Sequence, residues 1–589
     1  MKKIIKNILI LVVTLLTVMC RVSCGKKTES YPNKIRFYLW NADGLMPTGF
    51  EEVLKEYNEK YAKDNGGLEL EFKFEATQDT YKQNLNLYFS AQKNNYDVVF
   101  DAQWILLERF SQTGYYYDLS KYFNNDNYLG LKKAFSEDFI NNNKYNNGVY
   151  GIPITESFGD IAVTFIRKDW RVLCASDTTW EKPSDLANNP TNASDLSDRI
   201  DNYNEFEYYI YWVKAHAGQG SIPSNVVPII CNNDGAYSAY EIISGREARS
   251  VLPKDYYNNG IKTDILINSG GLSGQVYIDE RSGEAVAADV SNLNPSVTNG
   301  RNSFPAQFQS EDTSWQENYE IVRRWNVAGM MGDVSNETEA YAKFKLGLAG
   351  SVIQSIDNFN EYEAAIKTQD SNAELEIFIH DTDIRNKAEG VQATDYRAWN
   401  YLAIPKNVPE AKVEKIMKFF DWLFASREHH DLFQYGIKGI NWDEAKDDSG
   451  NYIENTVTTL GFEPYTFTAY LLTWNPTYIR LPYASDPKVL EYSSYMYSIE
   501  RYSPQLYSGF VFSTVGRPSE VTTALNNPDI ASAKSDTTAY QLGLVNNPVS
   551  SWQGYLDSLR NNTSLQNSLT IIQRDLITQF NEYLEKNGN

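Results

Sequence analysis

An α/β protein of more than one lobe, closed off by a helical C-terminal region, is predicted by three features of this chain. Strand and helix patterns alternate as βαβαβ between Lys34 and Phe100, the signature of a largely parallel sheet. A length of 589 residues exceeds what a single core organises, so two or more lobes are expected. From Pro464 onward the chain is aromatic-rich and mainly helical in pattern, ending with Leu565 to Leu584.

The N-terminus carries export information. Lys2, Lys3 and Lys6 precede an apolar run from Ile8 to Met19, which ends in Val22-Ser23-Cys24-Gly25. That run is too short for a bilayer, which needs about 20 residues; it reads as the h-region of a signal peptide over residues 1–23. The pattern resembles a bacterial lipobox, whose +1 cysteine receives a diacylglycerol. The resemblance implies lipidation at Cys24, a tether over 24–33 and a place on the outer face of the cytoplasmic membrane. Arg21 stands where lipoboxes usually carry Leu, and an ordinary signal peptide and an uncleaved anchor are the alternatives.

The elements follow in order. Lys34 to Trp40 is a strand that stops at the turn Asn41-Ala42-Asp43-Gly44, and Gly49 to Lys63 is a helix with Phe50, Val53, Leu54 and Tyr57 on one face. Leu68 to Phe74 is a strand, Tyr81 to Gln92 a helix, and Tyr96 to Phe100 a short buried strand. Ligands of such sheets collect beyond the carboxyl ends of the strands, which places Trp40 to Asp43 and Asp101 to Trp104 at the binding edge. Phe165 to Trp170 reads as strand then turn, 175–202 as a surface loop, and Tyr203 to Ala217 as an aromatic helix. Residues 253–310 mix Gly, Ser and Asn with short strands; Gly270-Gly271-Leu272-Ser273-Gly274 lacks the Lys and helix of a phosphate loop. Helices are predicted over Tyr319–Ala328, Thr338–Leu346 and Glu410–Phe424, and strands over Gly347–Gln354 and Tyr396–Pro405. Asp447 to Asn451 is a hairpin turn, with a calcium loop as the sharper alternative, although its acid spacing does not fit an EF-hand.

Composition narrows the function. Formal net charge is −22. Removing residues 1–23 takes away Lys2, Lys3, Lys6 and Arg21 and no acid, so those four positive charges leave −26. Nucleic acid and anionic lipid need a basic face and are excluded as principal partners. Four cysteines are too few for a disulfide scaffold; Cys174 and Cys231 either pair or are two separate buried thiols. With four histidines, of which only His429 and His430 are close, His-based metal or triad chemistry is not expected. The 42 Tyr, 12 Trp and 27 Phe favour glycans, because aromatic faces stack on sugar rings while polar edges meet hydroxyls.

Several segments, in order, resemble an extracellular solute-binding lipoprotein of an ABC sugar importer, of the large maltodextrin- and oligosaccharide-binding group. They are the strand ending in Trp40, Tyr96 to Asp101, Val149-Tyr150-Gly151-Ile152-Pro153 before Arg167-Lys168-Asp169, Phe344 to Gly350, and Ala403-Ile404-Pro405-Lys406-Asn407. Phe433 to Gly439 and the C-terminal helices resemble a large lipoprotein branch associated with complex oligosaccharides. The resemblance implies a two-lobed "Venus flytrap" of periplasmic-binding-protein type II, with lobe one at 34–155 and 372–460. Lobe two is then 156–371 and 461–589, including the C-terminal helices. It implies a monomer that binds an oligosaccharide, docks on permease subunits, and needs no cofactor or catalytic group.

The implied ligand residues are Trp40 and Asp43 on the first loop, Asp101 and Trp104 after the third core strand, and Glu156 and Ser157 past the first crossing. Gln354 falls where the family often has Asn, and Asp357 where many members place a stacking Trp. Phe510 and Phe512 fall near the late aromatic position; Trp399 and Trp474 are added on residue type alone. Each has a plainer reading as rim packing, helix cap, surface carboxylate or core. An oligopeptide-binding lipoprotein, a surface glycoside hydrolase with two carboxylates about 5–10 Å apart, and a structural surface protein are the rival functions.

Overall fold

A computed structural model of the chain describes residues 33–41, 46–75, 77–90, 95–102, 105–145, 147–154, 161–231, 238–246, 251, 267–269, 272–278, 285–289, 314–332, 337–394, 397–447, 449–460, 465–498, 501–504, 510, 512–513 and 516–587. The signal segment and Cys24 lie outside the described residues, as do most of 253–310.

The first sheet contains β1 (Lys34–Trp40), β2 (Glu69–Glu75), β3 (Val98–Ala102) and β4 (Ile152–Ile154), joined late in the chain by β13 (Asn400–Ala403). Its order is β2-β1-β3-β13-β4. β1 runs parallel to β2 and β3, as the βαβαβ pattern predicts, while β13 is antiparallel to both β3 and β4. Helix Phe50–Lys60 buries Phe50, Val53 and Tyr57. Helix Glu410–Leu423 covers the sheet with Phe419 and Phe420, whose rings lie 6.0 and 6.3 Å from that of Phe37. Asp97, buried at the start of β3, takes the Arg36 backbone N–H at 2.9 Å and the Lys412 ammonium at 2.8 Å, tying sheet to helix.

The second sheet contains β5 (Ala162–Arg167), β6 (Val227–Ile230), β10 (Ala349–Ser355) and β11 (Leu375–Phe378), in the order β11-β5-β10-β6. β10 is antiparallel to β5 and parallel to β6. β11 pairs with β5, so residues 375–378 belong to this lobe, and the expected return to lobe one at 372 is corrected to the gap between β12 (Gln392–Thr394) and β13. The boundary at 461 also moves. Phe467, Leu471, Leu472 and Tyr478 are buried in the first lobe's core, whereas Ala484 and Val489 are buried in the second's. The last crossing therefore falls near 481.

Two local readings change as well. The segment after β5 is helix Lys168–Ser176, not a turn, and it buries Trp170, Arg171 and Cys174. The 175–202 segment is not merely surface: Leu186, Leu196 and Ile200 are buried, and Arg171 donates to the carbonyls of Leu196 and Ser197 at 2.9 and 3.1 Å. Cys174 and Cys231 are separate, buried, free thiols.

Smaller sheets decorate the lobes: β7 (Ile267–Ser269) with β8 (Leu272–Ile278) and β9 (Ala285–Asp289); β12 with β17 (Tyr502–Pro504); and β14 (Trp442–Lys446) with β15 (Tyr452–Thr459) and β16 (Leu481–Pro482). β14 and β15 form the predicted hairpin. In its turn the Asp447 carboxylate accepts the N–H groups of Ser449 and Asn451 at 2.9 and 2.8 Å.

Helices Ser519–Leu525, Pro528–Gln541, Pro548–Asn561 and Thr563–Asn587 form the C-terminal layer. They dock on the second lobe through Tyr319, Tyr540 and Trp552, with Arg323 donating to the Gly543 carbonyl at 2.9 Å.

Candidate functional site

The chain crosses between the sheets after Ile154, before β13 and near 481, so the carboxyl edge of the first sheet and the end of β10 flank the same hinge. Trp40 is the last residue of β1, and the ladder closes just past it where the Asn41 N–H donates to the Glu75 carbonyl at 3.1 Å. The indole is only partly buried and packs 6.3 Å from both Phe100 and Tyr470. Tyr470 in turn stands edge-on to Trp474 at 5.8 Å. The turn Ala469–Leu471 explains this placement: Ala469 and Leu471 point inward, and the Trp474 N–H closes on the Ala469 carbonyl at 3.0 Å. Asn475 fixes the segment by donating to the Ala134 carbonyl at 3.0 Å. Trp40 and Trp474, chosen separately from the sequence, thus become two ends of one aromatic row. Tyr470, which joins them, was missed; its i, i+4 spacing to Trp474 was the available signal.

Trp399 lies at the same edge. It immediately precedes β13, whose Asn400 pairs with Ala102 at the end of β3 and with Ile154 at the end of β4. Its side chain is 50% exposed, while its neighbours are fixed: the Asn143 amide oxygen accepts from Ala398 N and from the Tyr401 hydroxyl at 2.8 and 2.5 Å. A large apolar ring held in solvent by a rigid strand end is a ready contact surface.

Asp101 is fully buried and its carboxylate is occupied. Oδ1 accepts from the N–H groups of Ala102 and Leu106 at 2.8 and 2.9 Å, and Oδ2 from the Tyr116 hydroxyl at 2.6 Å. Burial raises its carboxyl to about 7 against these hydrogen bonds. Asp101 shapes the turn after β3, its carboxylate engaged by groups within the protein. Asp43, Trp104, Glu156 and Ser157 lie outside the described residues.

On the second lobe, Gln354 is buried with its amide engaged, Nε2 donating to the Tyr362 hydroxyl at 3.0 Å and Oε1 accepting from Ser355 N at 2.8 Å. Asp357 follows the end of β10 and is half-buried; Oδ2 accepts from the Tyr497 hydroxyl at 2.6 Å. Phe510 and Phe512 are not at either sheet edge. Both are buried in the C-terminal helical layer, Phe510 with its ring 4.9 Å from Phe580 and 5.6 Å from Tyr583. The structure therefore gathers Trp40, Trp474 and Trp399 on one lobe and Asp357 on the other, and separates Phe510 and Phe512 from them.

Among the described residues, no group of three or more His, Cys, Asp or Glu is placed to hold a metal ion, and no helix is long and apolar enough to cross a membrane. No family model matches the chain, and no curated protein matches it. Solved structures do. The N-glycan transport solute binding protein NgtS from Streptococcus pneumoniae, in complex with Man1GlcNAc, is 16% identical with a TM-score of 0.56, covering 94% of this chain and 99% of that one. Its complex with Man5GlcNAc gives 16% and 0.53. The alginate-binding protein AlgQ2 is 15% identical with a TM-score of 0.50, covering 93% and 98%.

This chain has the two-lobed solute-binding fold.

The fold expectation drawn from the sequence is met in both lobes. The part of the chain left uncovered by NgtS is smaller than the C-terminal helical layer, so those helices belong at least in part to the shared architecture.

Proposed function

We propose that this chain is an extracytoplasmic binding protein that captures an oligosaccharide between its lobes and delivers it to an ABC permease. The row Trp40–Tyr470–Trp474 with exposed Trp399, set at the carboxyl edge of the first sheet, carries the reading. Such rings stack on the C–H faces of sugars, and strand carboxyl ends are where ligands of α/β sheets bind. The likeness to NgtS, described with Man1GlcNAc and Man5GlcNAc, supports the same reading.

The mechanism is a population shift. Each lobe offers half a site, and a sugar that touches both favours the closed arrangement by its differential affinity. Closure removes water and strengthens hydrogen bonds to sugar hydroxyls. No covalent step is required. The signal segment and Cys24 fit a lipid-tethered monomer on the outer face of the cytoplasmic membrane.

A thermal-shift screen of the chain from residue 26, against neutral oligosaccharides (Man5GlcNAc and maltotriose included), oligoalginates and peptides, tests the reading, since a ligand binding only the native state raises the melting temperature. A sugar recovered intact is the expected hit. A peptide-only hit or a cleaved sugar overturns it. Mass spectrometry of the membrane-derived protein tests the anchor: a diacylglyceryl adduct on Cys24 is expected, and an unmodified thiol or a retained leader contradicts it.

A further inference from the structure

His430 is a buried polar ring that capture between the lobes leaves without a role. It lies in helix Arg427–Gln434 and is 0% exposed. An imidazole shut away from water is tolerated where its nitrogens find partners, so the partners define what it does. Nε2 stands 2.9 Å from the Thr473 carbonyl oxygen, and Nδ1 3.3 Å from Oδ1 of Asp431. A carbonyl only accepts, so Nε2 carries the hydrogen of that bond. Oδ2 of Asp431 is held by Arg480, whose Nε and Nη2 both lie at 2.9 Å, which gives the buried carboxylate beside the ring its counter-charge. His429, the neighbour in sequence, is engaged elsewhere: its Nδ1 meets the Trp422 carbonyl at 2.7 Å.

The bond falls on the aromatic row. Thr473 and Trp474 share a peptide group whose two polar ends are both fixed. Its oxygen takes the His430 hydrogen, and the Trp474 N–H donates to the Ala469 carbonyl at 3.0 Å. On the far side Asn475 donates to the Ala134 carbonyl. Thr473 and Asn475 are buried, while the indole between them is only partly covered. The ring therefore stands at the surface between two anchored residues, edge-on to Tyr470. A planar peptide held at both ends leaves the side chain that follows it little backbone freedom, so little is lost when a sugar stacks there. His430 also stacks on Tyr478 at 5.1 Å, a packing role open to an apolar side chain; only the bond to Thr473 needs a donor.

We infer that His430 is a positioning residue of the oligosaccharide site, its Nε2–H fixing the Thr473–Trp474 peptide and with it the orientation of the Trp474 ring in the row Trp40–Tyr470–Trp474. The inference rests on the oligosaccharide reading given above. It gives a role to one of the two adjacent histidines, for which the sequence pattern offered no metal or triad chemistry. His430 touches no sugar. It acts through the main chain, and the ring that it aims is the surface the sugar meets.

The test is a double-mutant cycle read by titration calorimetry, with melting temperatures taken on the same samples. The titrant is whichever of Man5GlcNAc, maltotriose and an oligoalginate binds the wild type best. His430→Gln brings an amide N–H to the place of Nε2; His430→Met has the same length and no donor; His430→Asn ends short of Thr473. His430→Met and His430→Asn should each weaken binding about fivefold or more, the effect of one lost hydrogen bond, and His430→Gln should stay within about twofold of wild type. In a Trp474→Ala background His430→Met should cost less than a further twofold, because the ring it aims is gone. If His430→Met does not fold, the comparison of His430→Asn with His430→Gln decides. His430→Met and His430→Asn at wild-type affinity, while Trp474→Ala loses binding, overturn this inference and leave the oligosaccharide reading intact. So does a His430→Gln as weak as His430→Met, or an equal loss from His430→Met with and without the Trp474 ring, either of which makes the histidine a packing residue. A wild type that binds no saccharide overturns both.

Discussion

Tyr116 donates its phenolic hydrogen to Oδ2 of Asp101 at 2.6 Å, while Oδ1 of the same carboxylate gathers the Ala102 and Leu106 N–H groups. The pair fixes the turn that leaves β3 at the candidate site. Tyr116→Phe removes a donor from a buried carboxylate, a loss of about 1–3 kcal/mol. Urea unfolding should show that loss, with weaker glycan affinity; an unchanged midpoint contradicts the assigned role.

The same group predicts a pH dependence. Burial raises the Asp101 carboxyl to about 7, whereas an unfolded Asp titrates near about 4. Between those values the native state holds a proton that the unfolded chain has released. This contribution to stability is therefore complete below about pH 4 and fades as the pH rises towards 7. Glu241, pushed up to about 7 by burial and then by Asp381, adds a slope of the same sign. Asp101→Asn should flatten, without abolishing, the fall in unfolding midpoint across that window; a slope equal to wild type counts against it.

Trp399→Ala separates binding from stability. Half of this ring is exposed, so its removal should leave the melting temperature nearly unchanged and weaken glycan binding at least tenfold by calorimetry. A large drop in melting temperature would instead assign the ring to packing.

Phe510→Ala should show the reverse. Its ring is buried against Phe580 and Tyr583, and such truncations cost about 3–5 kcal/mol. Glycan affinity of the folded variant should match wild type; a selective loss of binding would return Phe510 to the site.

Arg171 and Glu376 form a buried two-point pair, Nε to Oε1 and Nη2 to Oε2, both at 3.0 Å. Arg171→Met strands the Glu376 carboxylate and should cost about 3–5 kcal/mol in chemical denaturation. Adding Glu376→Leu should recover part of it; no recovery would mean that the loss came from packing around Trp170.

Much of the first sheet was legible because β1 and β2 interleave charged with apolar residues at strand spacing, β3 is a short buried apolar run, and their partners are close in sequence. The lobe boundaries were not. β11 belongs to the second sheet only because of β5, a partner about 200 residues away, and Phe467 to Tyr478 join the first lobe by packing that no local pattern encodes. Helix Lys168–Ser176 was hidden because one of its buried positions is Arg171, which a hydrophobic pattern counts as exposed. Trp40 was picked out by its place at a strand end and by the resemblance, Trp399 and Trp474 by residue type, and all three lie at the carboxyl edge of the first sheet. The resemblance also pointed to Gln354, whose amide is satisfied internally, and to Phe510 and Phe512, whose rings pack within the C-terminal helices, since a matched position does not say what a side chain will face.

Small-angle scattering of the chain from residue 26, before and after saturation with the neutral oligosaccharide giving the largest thermal shift, tests capture between the lobes most directly. The account predicts a smaller radius of gyration on binding, and no contraction in a folded Trp40→Ala, Trp399→Ala double variant at the same sugar concentration. A saturating sugar that leaves the wild-type radius unchanged would contradict closure of two lobes around the ligand.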